Sequence, residues 1–212
     1  MAFRASVSAP VAKNRLSAIQ DRPLNATRGA EVALASYSYL FSALISYTQS
    51  RVTGIADFEK KLSVVGYRVG FRLVELLPLR DSLPASTSRA AAGPPRTTRL
   101  LPLLRYLDVV YRYLFNRSYD GLERSTEHAD EYMIIDNDPV LTRSIDVPKD
   151  MASLSCMALV AGIIEAVMDG HAFPARVTAH SVPTDAHPRR TVLLIKLDPS
   201  VMAREDALGP VK

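Results

Sequence analysis

The chain has a single cysteine, Cys156, among 212 residues. That excludes an internal disulfide and fits a reducing compartment. Tryptophan is absent, and aromatic residues make up only 7%. There are four histidines, His128, His171, His180 and His187. None stands at metal-ligand spacing from another. No predominantly apolar run reaches the roughly 20 residues that a bilayer demands. The stretch from Leu154 to Met168 comes nearest, broken only by Glu165, and it is too short. No apolar segment follows the first residues, so no secretory signal is expected. The sequons Asn25-Ala-Thr27 and Asn116-Arg-Ser118 then read as chance. Charge of one sign is also scarce: the net value of +4 is no nucleic-acid footprint. What remains is an ordinary globular composition, 48% apolar. A chain of this length can bury roughly 70% of its unfolded surface without metal or disulfide.

The basic excess is local. Residues 1–30 hold Arg4, Lys13, Arg15, Arg22 and Arg28 against Asp21 alone. Residues 1–24 read as a basic, disordered extension, residues 25–208 as one domain, and 209–212 as a tail. Within the domain, Thr27 can cap a helix from about Ala30 to Arg51. No charge occurs between Glu31 and Arg51. Leu34, Tyr37, Phe41, Leu44 and Ile45 give it one apolar face, and Ser38, Ser42, Ser46 and Ser50 a second stripe of small residues. Its hydroxyl side chains argue against a membrane span. Such a helix is a core helix, or one shared between its own domain and a partner.

Thr53-Gly54 breaks the chain. Phe58, Leu62, Val65, Val69, Leu73 and Leu76 then mark a second amphipathic helix, about Ile55 to Leu77. Gly66 and Gly70 lie one turn apart in it. Two helical glycines cost roughly 2 kcal/mol, which predicts tight packing of another backbone. Pro78 to Pro102 reads as a linker, disordered over 82–95. Pro102 suits the first turn of a third helix with Leu103, Leu107, Val110 and Leu114 inward. Its Tyr106, Tyr111, Tyr113 and Phe115, interleaved with Arg105, Arg112 and Arg117, suit an amphipathic helix better than an RNA surface. Asp120 to Asp130 reads as a polar connection. Strands follow at Glu131 to Ile135 and Leu141 to Val147, with a turn at Asp136-Asn-Asp-Pro139. Ser153 can cap the apolar helix, in which Gly162 marks a close approach. Strands at Phe173 to His180 and Thr191 to Leu197 and a short helix from Pro199 close the domain. The order predicts an α+β fold, helices packed on a four-stranded antiparallel sheet.

No constellation predicts catalysis. Cys156 in an apolar helix should behave as a small hydrophobe, not as a nucleophile paired with His180. Asp136 and Asp138 belong to a turn before they belong to an acid pair. No Walker motif, dinucleotide fingerprint or Gly-x-Ser-x-Gly is present. No metal, cofactor or nucleic acid is expected, and the chain reads as no enzyme.

Six pieces carry a resemblance: Glu31-Val-Ala-Leu with Gln49-Ser-Arg-Val52; Gly66-Tyr-Arg-Val-Gly70-Phe-Arg-Leu; Tyr113-Leu-Phe-Asn with Gly121-Leu-Glu; Val147-Pro-Lys-Asp; Ala161-Gly-Ile-Ile-Glu-Ala-Val; and Phe173-Pro-Ala-Arg-Val-Thr-Ala-His180. In these the chain resembles the Bet-three-like small subunits of the TRAPP vesicle-tethering complex. The resemblance covers about Leu16 to Leu208. It implies the family's α/β-plait and a non-catalytic structural role in a complex that promotes nucleotide exchange on a Ypt/Rab small GTPase. ER-to-Golgi and Golgi transport would be the setting, on the cytoplasmic side and peripheral to cis-Golgi membranes.

The implied partners are a Bet-three-type subunit, as heterodimer, and a sedlin-type longin subunit. The GTPase and COPII vesicles would be met through the complex. In this family the first two helices meet the sister subunit. That makes Leu34, Tyr37, Ser38, Phe41, Ser42, Ile45, Gly66, Val69, Gly70 and Leu73 the expected interface. Family relatives can be acylated on a cysteine after the second helix; residues 82–99 have none. Tyr111 stands where relatives carry tryptophan. Residues 1–22, basic, are candidates to touch the GTPase or an anionic membrane. The competing reading is a sensor of the same fold that binds a small hydrophobic ligand along Leu154 to Met168.

Overall fold

The computed structural model describes residues 32–82, 98–148, 151 and 153–209. The N-terminal extension, the Thr27 cap and almost all of the 82–95 insertion lie outside the described residues. Five helices and four strands follow in the order α1 (Leu34–Gln49), α2 (Ile55–Ser82), α3 (Leu100–Phe115), β1 (Gly121–Arg124), β2 (Glu131–Asp136), α4 (Ala158–Gly170), β3 (Ala175–Ser181), β4 (Thr191–Leu197) and α5 (Pro199–Leu208). The strands form one antiparallel sheet in the order β1-β2-β4-β3. This is the α+β architecture that the pattern predicts.

The register explains which side of the sheet the helices take. Ile134 pairs with Leu193 and Tyr132 with Ile195, while Val177 and Ala179 sit opposite Ile195 and Leu193. Alternation puts these side chains on one face. Ile134, Leu193 and Ile195 are fully buried there. α4 lies against β3, and ten of its thirteen residues are buried. Its far side meets α2 through an interlock of glycines. A Cβ on Gly66 would stand 1.9 Å from the Leu159 carbonyl oxygen, and one on Gly70 2.4 Å from that of Ile163. From the other helix, a Cβ on Gly162 would stand 2.0 Å from the Ser63 carbonyl oxygen. Two backbones in such contact leave no room for any side chain between them.

Four expectations need correcting. Leu141 to Val147 alternates like a strand but forms turns. Thr142 donates its N–H to the Pro139 carbonyl at 3.2 Å, and Ile145 to that of Thr142 at 3.1 Å. The fourth strand is instead β1, inside the supposed polar connection. It is a four-residue edge carrying Glu123 and Arg124, and a short charged edge resists pairing with other chains while giving little sequence signal. α2 does not stop at Pro78 but runs through it to Ser82. α4 starts at Ala158, not after Ser153, because the Ser155 N–H is held by the Glu59 carboxylate of α2 at 2.8 Å. That bond fixes 153–157 as turns before the helix begins.

Two polar clusters, one buried and one half-buried, tie the layers. At one end Asp136 is fully buried. It accepts the Tyr111 hydroxyl and lies 3.2 Å from the Arg117 guanidinium, which also reaches Asp120 at 3.3 Å. Desolvation outweighs these partners and holds the Asp136 carboxyl above its usual range; the same burial and the nearby carboxylate push the Tyr111 phenol up. The Asp138 N–H closes the turn on Asp136 at 3.1 Å. The second cluster is Glu165, the one charge in the apolar stretch. It accepts the Val177 N–H of edge strand β3 at 3.0 Å and faces Arg176 at 3.4 Å.

Candidate partner interface

α1 is a helix with two apolar faces. The inner face turns Phe41 and Thr48 into the protein, with Tyr37, Leu44 and Ile45 packed on the core. Burial pushes the Tyr37 phenol up. On the opposite side lie Val32, Tyr39, Leu40 and Tyr47, at 75%, 78%, 69% and 59% exposure. Ser36 and Ala43 complete this outer stripe. Within α1, Ser36, Tyr39, Leu40, Ala43 and Tyr47 follow the spacing i, i+3, i+4, i+7, i+11 of a single helical face, and Val32 precedes the N-cap. No charge lies within the stripe, and the Arg51 guanidinium stands over the Tyr47 ring at its end, 3.7 Å from the ring centroid. An apolar stripe of this length on water is the mark of a surface that another molecule covers.

The expected interface residues divide accordingly. Phe41 and Leu73 are buried, 3% and 6% exposed, in the chain's own core. Tyr37 and Ile45 pack on that core, and Ser38 lies within 3.3 Å of the Ser144 hydroxyl. Gly66 and Gly70 receive the backbone of α4, not that of a sister subunit. Leu34 and Val69 remain exposed at 46% and 42%, and Ser42 is exposed. The α1 residues among them lie mostly on its inward face. The outer face is harder to read because tyrosine and serine score as polar in a simple pattern. The signal that finds it is the missing charge: an amphipathic helix with one wet face carries charges there, and α1 carries none.

The chemistry-bearing residues are otherwise engaged. Cys156 is buried, and burial, then Glu59, push its thiol up to about 11. His180 lies exposed with its Nε2 2.8 Å from the Thr178 hydroxyl. His171 meets Tyr106 in a tilted ring contact, 5.4 Å between ring centroids and 56° between planes. Among the described residues no group of histidines, cysteines and carboxylates is placed to hold a metal, and no helix is long and apolar enough to cross a membrane. An open groove of about 640 Å³ lies between α3, β1 and α5, lined by Leu100, Leu122, Arg124, Tyr132, Met202 and Glu205 among others. The apolar helix α4 lines a smaller cleft of about 200 Å³, with Glu59, Lys60 and Arg176 on its walls. That space is below the roughly 300 Å³ at which ligand pockets begin, so this cleft is too small for the apolar ligand that the sensor reading requires.

Comparison with known proteins gives the same direction. The family model for transport protein particle (TRAPP) components matches residues 37–198. The chain is 43% identical over 188 residues to trafficking protein particle complex subunit 5 of Dictyostelium discoideum, covering 88% of this chain and 95% of that protein. It is 35% identical over 193 residues to human trafficking protein particle complex subunit 5, covering 91% and 94%. With subunit 31 of Saccharomyces cerevisiae it shares 32% over 227 residues, covering 82% and 79%. A crystal structure of trafficking protein particle complex subunit 3 from Naegleria fowleri, covalently bound to palmitic acid, superposes with a TM-score of 0.56 at 15% identity, over 78% of this chain and 95% of that one. At that identity the likeness concerns the fold alone. The fold, the family match and the relatives' extent converge, and the chain belongs to the TRAPP component family, as a subunit of a trafficking protein particle complex.

Proposed function

We propose that this chain is a non-catalytic structural subunit that pairs with a Bet-three-type subunit through the outer stripe of α1. The observation that carries the proposal is that stripe: Tyr39, Leu40 and Tyr47 exposed on a helix with no charge, with exposed Val32 just before it. A second subunit, of the sedlin-type longin class, would occupy another face. In this reading the chain holds in place a composite surface on which other subunits promote GDP release from a Ypt/Rab GTPase. The setting would be COPII vesicle tethering and ER-to-Golgi transport, with the complex peripheral on cytoplasmic Golgi membranes. Cys156, buried with its thiol protonated at neutral pH, supports a role without acid, base or nucleophile of its own.

A reconstituted complex tests this reading. Omitting the chain should fragment the complex and lower GDP release from its GTPase, and adding back Cys156→Ala should restore both. Unchanged exchange and assembly without the chain would refute the structural role. Loss of exchange with Cys156→Ala in an intact complex would refute the non-catalytic one.

A further inference from the structure

We infer that α1 is ordered by its partner: in the lone chain the helix opens locally, and pairing and α1 folding are one event. The inference rests on the pairing proposed above and says how that site is regulated.

Four independent features of α1 point to it. First, ten of its sixteen residues are serine, threonine, tyrosine, phenylalanine or isoleucine, all of middling helix propensity. An isolated helix of this length is marginal in water even when alanine-rich. Second, its N-terminal end is untended. Ala33 at the N-cap gives no side-chain hydrogen bond and the first turn has no acid, so the positive end of the macrodipole is uncompensated, while at the other end Arg51 donates to the Tyr47 carbonyl at 3.1 Å. With no charge in the helix there are also no ion pairs between successive turns. Third, the Thr48 hydroxyl donates back to the Leu44 carbonyl at 2.8 Å, a bond that slightly weakens a helix. Fourth, its hold on the body is thin. Only Phe41 and Thr48 are fully buried, against ten residues of α4. Ser38 with Ser144, at 3.3 Å, and Lys61 on the Arg51 carbonyl are its polar ties to the rest among the described residues.

The remainder of the domain does not share this weakness. α2 and α4 are interlocked backbone to backbone at three glycines, and α4 is seated on the sheet. α5 is short too, but Asp198 caps it by accepting the Ser200 N–H at 2.9 Å, and Glu205 ties it to the Leu100 N–H at 2.9 Å. Local stability should therefore fall to its lowest at α1, the element that carries the docking stripe. Partner contacts on the outer face supply what caps and charges do not. The partner selects the closed helix, and its apparent affinity falls with the fraction of chains in which the helix is closed.

Hydrogen exchange with mass spectrometry, on the full chain alone and co-expressed with a Bet-three-type subunit, tests this. In the lone chain the α1 amides should exchange at least about 100-fold faster than those of α4, and pairing should remove most of that difference. Equal protection of α1 and α4 in the lone chain would overturn the inference. Should the free chain precipitate, the same measurement is made on its fusion to maltose-binding protein. Ala33→Asp supplies the missing cap and an acid at the dipole's positive end, outside the stripe. It should slow α1 exchange about fivefold and tighten pairing by a similar factor. Slower exchange with unchanged affinity would break the link between order and pairing. Light scattering reads the pairing separately, so loss of the pairing proposal and loss of this one are told apart.

Discussion

Substituting alanine for Gly66 or Gly162 should unfold this domain more readily, against the usual expectation for a helical glycine. On an open helix, glycine to alanine gains about 1 kcal/mol. Here the new Cβ would lie 1.9 Å from the Leu159 oxygen, or 2.0 Å from the Ser63 oxygen. Both obstacles are backbone carbonyls within helices and cannot rotate away. Restoring an ordinary contact of 3.4 Å requires the helices to part by roughly 1.5 Å, which forfeits about half or more of the dispersion energy of each contact along the crossing. Overpacking of this kind costs about 1–3 kcal/mol, and the rigid obstacle puts it at the upper end. After the propensity gain the net loss is about 2 kcal/mol. In urea, with a slope of about 2 kcal/mol per molar, the midpoint should fall by roughly 1 M. The two substitutions share one crossing, so the double variant should lose less than the sum. Gly54→Ala is the control: no atom lies within 4 Å of its Cβ position, and its midpoint should hold or rise slightly. A Gly66→Ala midpoint that matches the control would refute the backbone interlock.

Three further outcomes follow from the buried polar groups. Glu165→Ala strips the acceptor from the Val177 N–H and should cost about 1–3 kcal/mol in denaturant, with faster aggregation because the edge of β3 is bared. Tyr111→Phe removes the donor to fully buried Asp136 and should cost a similar amount, about 1–3 kcal/mol; Arg112→Ala, on a half-exposed pair with Asp108, should cost under about 1 kcal/mol. The Cys156 thiol, raised from 9.0 to about 11 by burial, favours the protonated folded state. Its contribution is complete below pH 9 and is lost as pH rises from there through 11. Cys156→Ala should flatten that part of the alkaline stability curve, and native Cys156 should resist a thiol reagent at pH 8 until the chain is unfolded.

Most of the fold was legible because most elements follow one period. The three-and-four spacing of Phe58, Leu62 and Leu73 marked α2, and the apolar run broken only by Glu165 marked α4. β3 stood out through alternation and β4 as a strongly apolar run. What failed had competing local chemistry. Leu141, Arg143, Ile145 and Val147 alternate, yet Pro139 and Thr142 draw their neighbours into turns. β1 carries its information in its partner, since Gly121 packs its open side on Ile135, whose side chain lies 3.7 Å from the glycine's Cβ position. The glycines announced a close approach, and that reading was sound; sequence spacing could not say that the approaching backbone was Leu159 to Ile163 of the same chain. The docking face was half legible. The absence of charge from Val32 to Ser50 marked a helix without a charged wet face, but only packing assigns Phe41 inward and Leu40 outward.

The most direct test of the pairing account is size-exclusion chromatography with multi-angle light scattering. The chain is run alone and co-expressed with the Bet-three-type subunit of the same organism, as wild type, Leu40→Asp and Tyr39→Asp. Each aspartate places a charge at the centre of the outer stripe while leaving Phe41 and the core untouched. The account predicts a one-to-one heterodimer for wild type and its loss in both variants, with far-ultraviolet circular dichroism showing α2–α4 and the sheet intact. A wild-type chain that stays a well-behaved monomer beside the partner, or aspartate variants that pair as tightly as wild type, would contradict it.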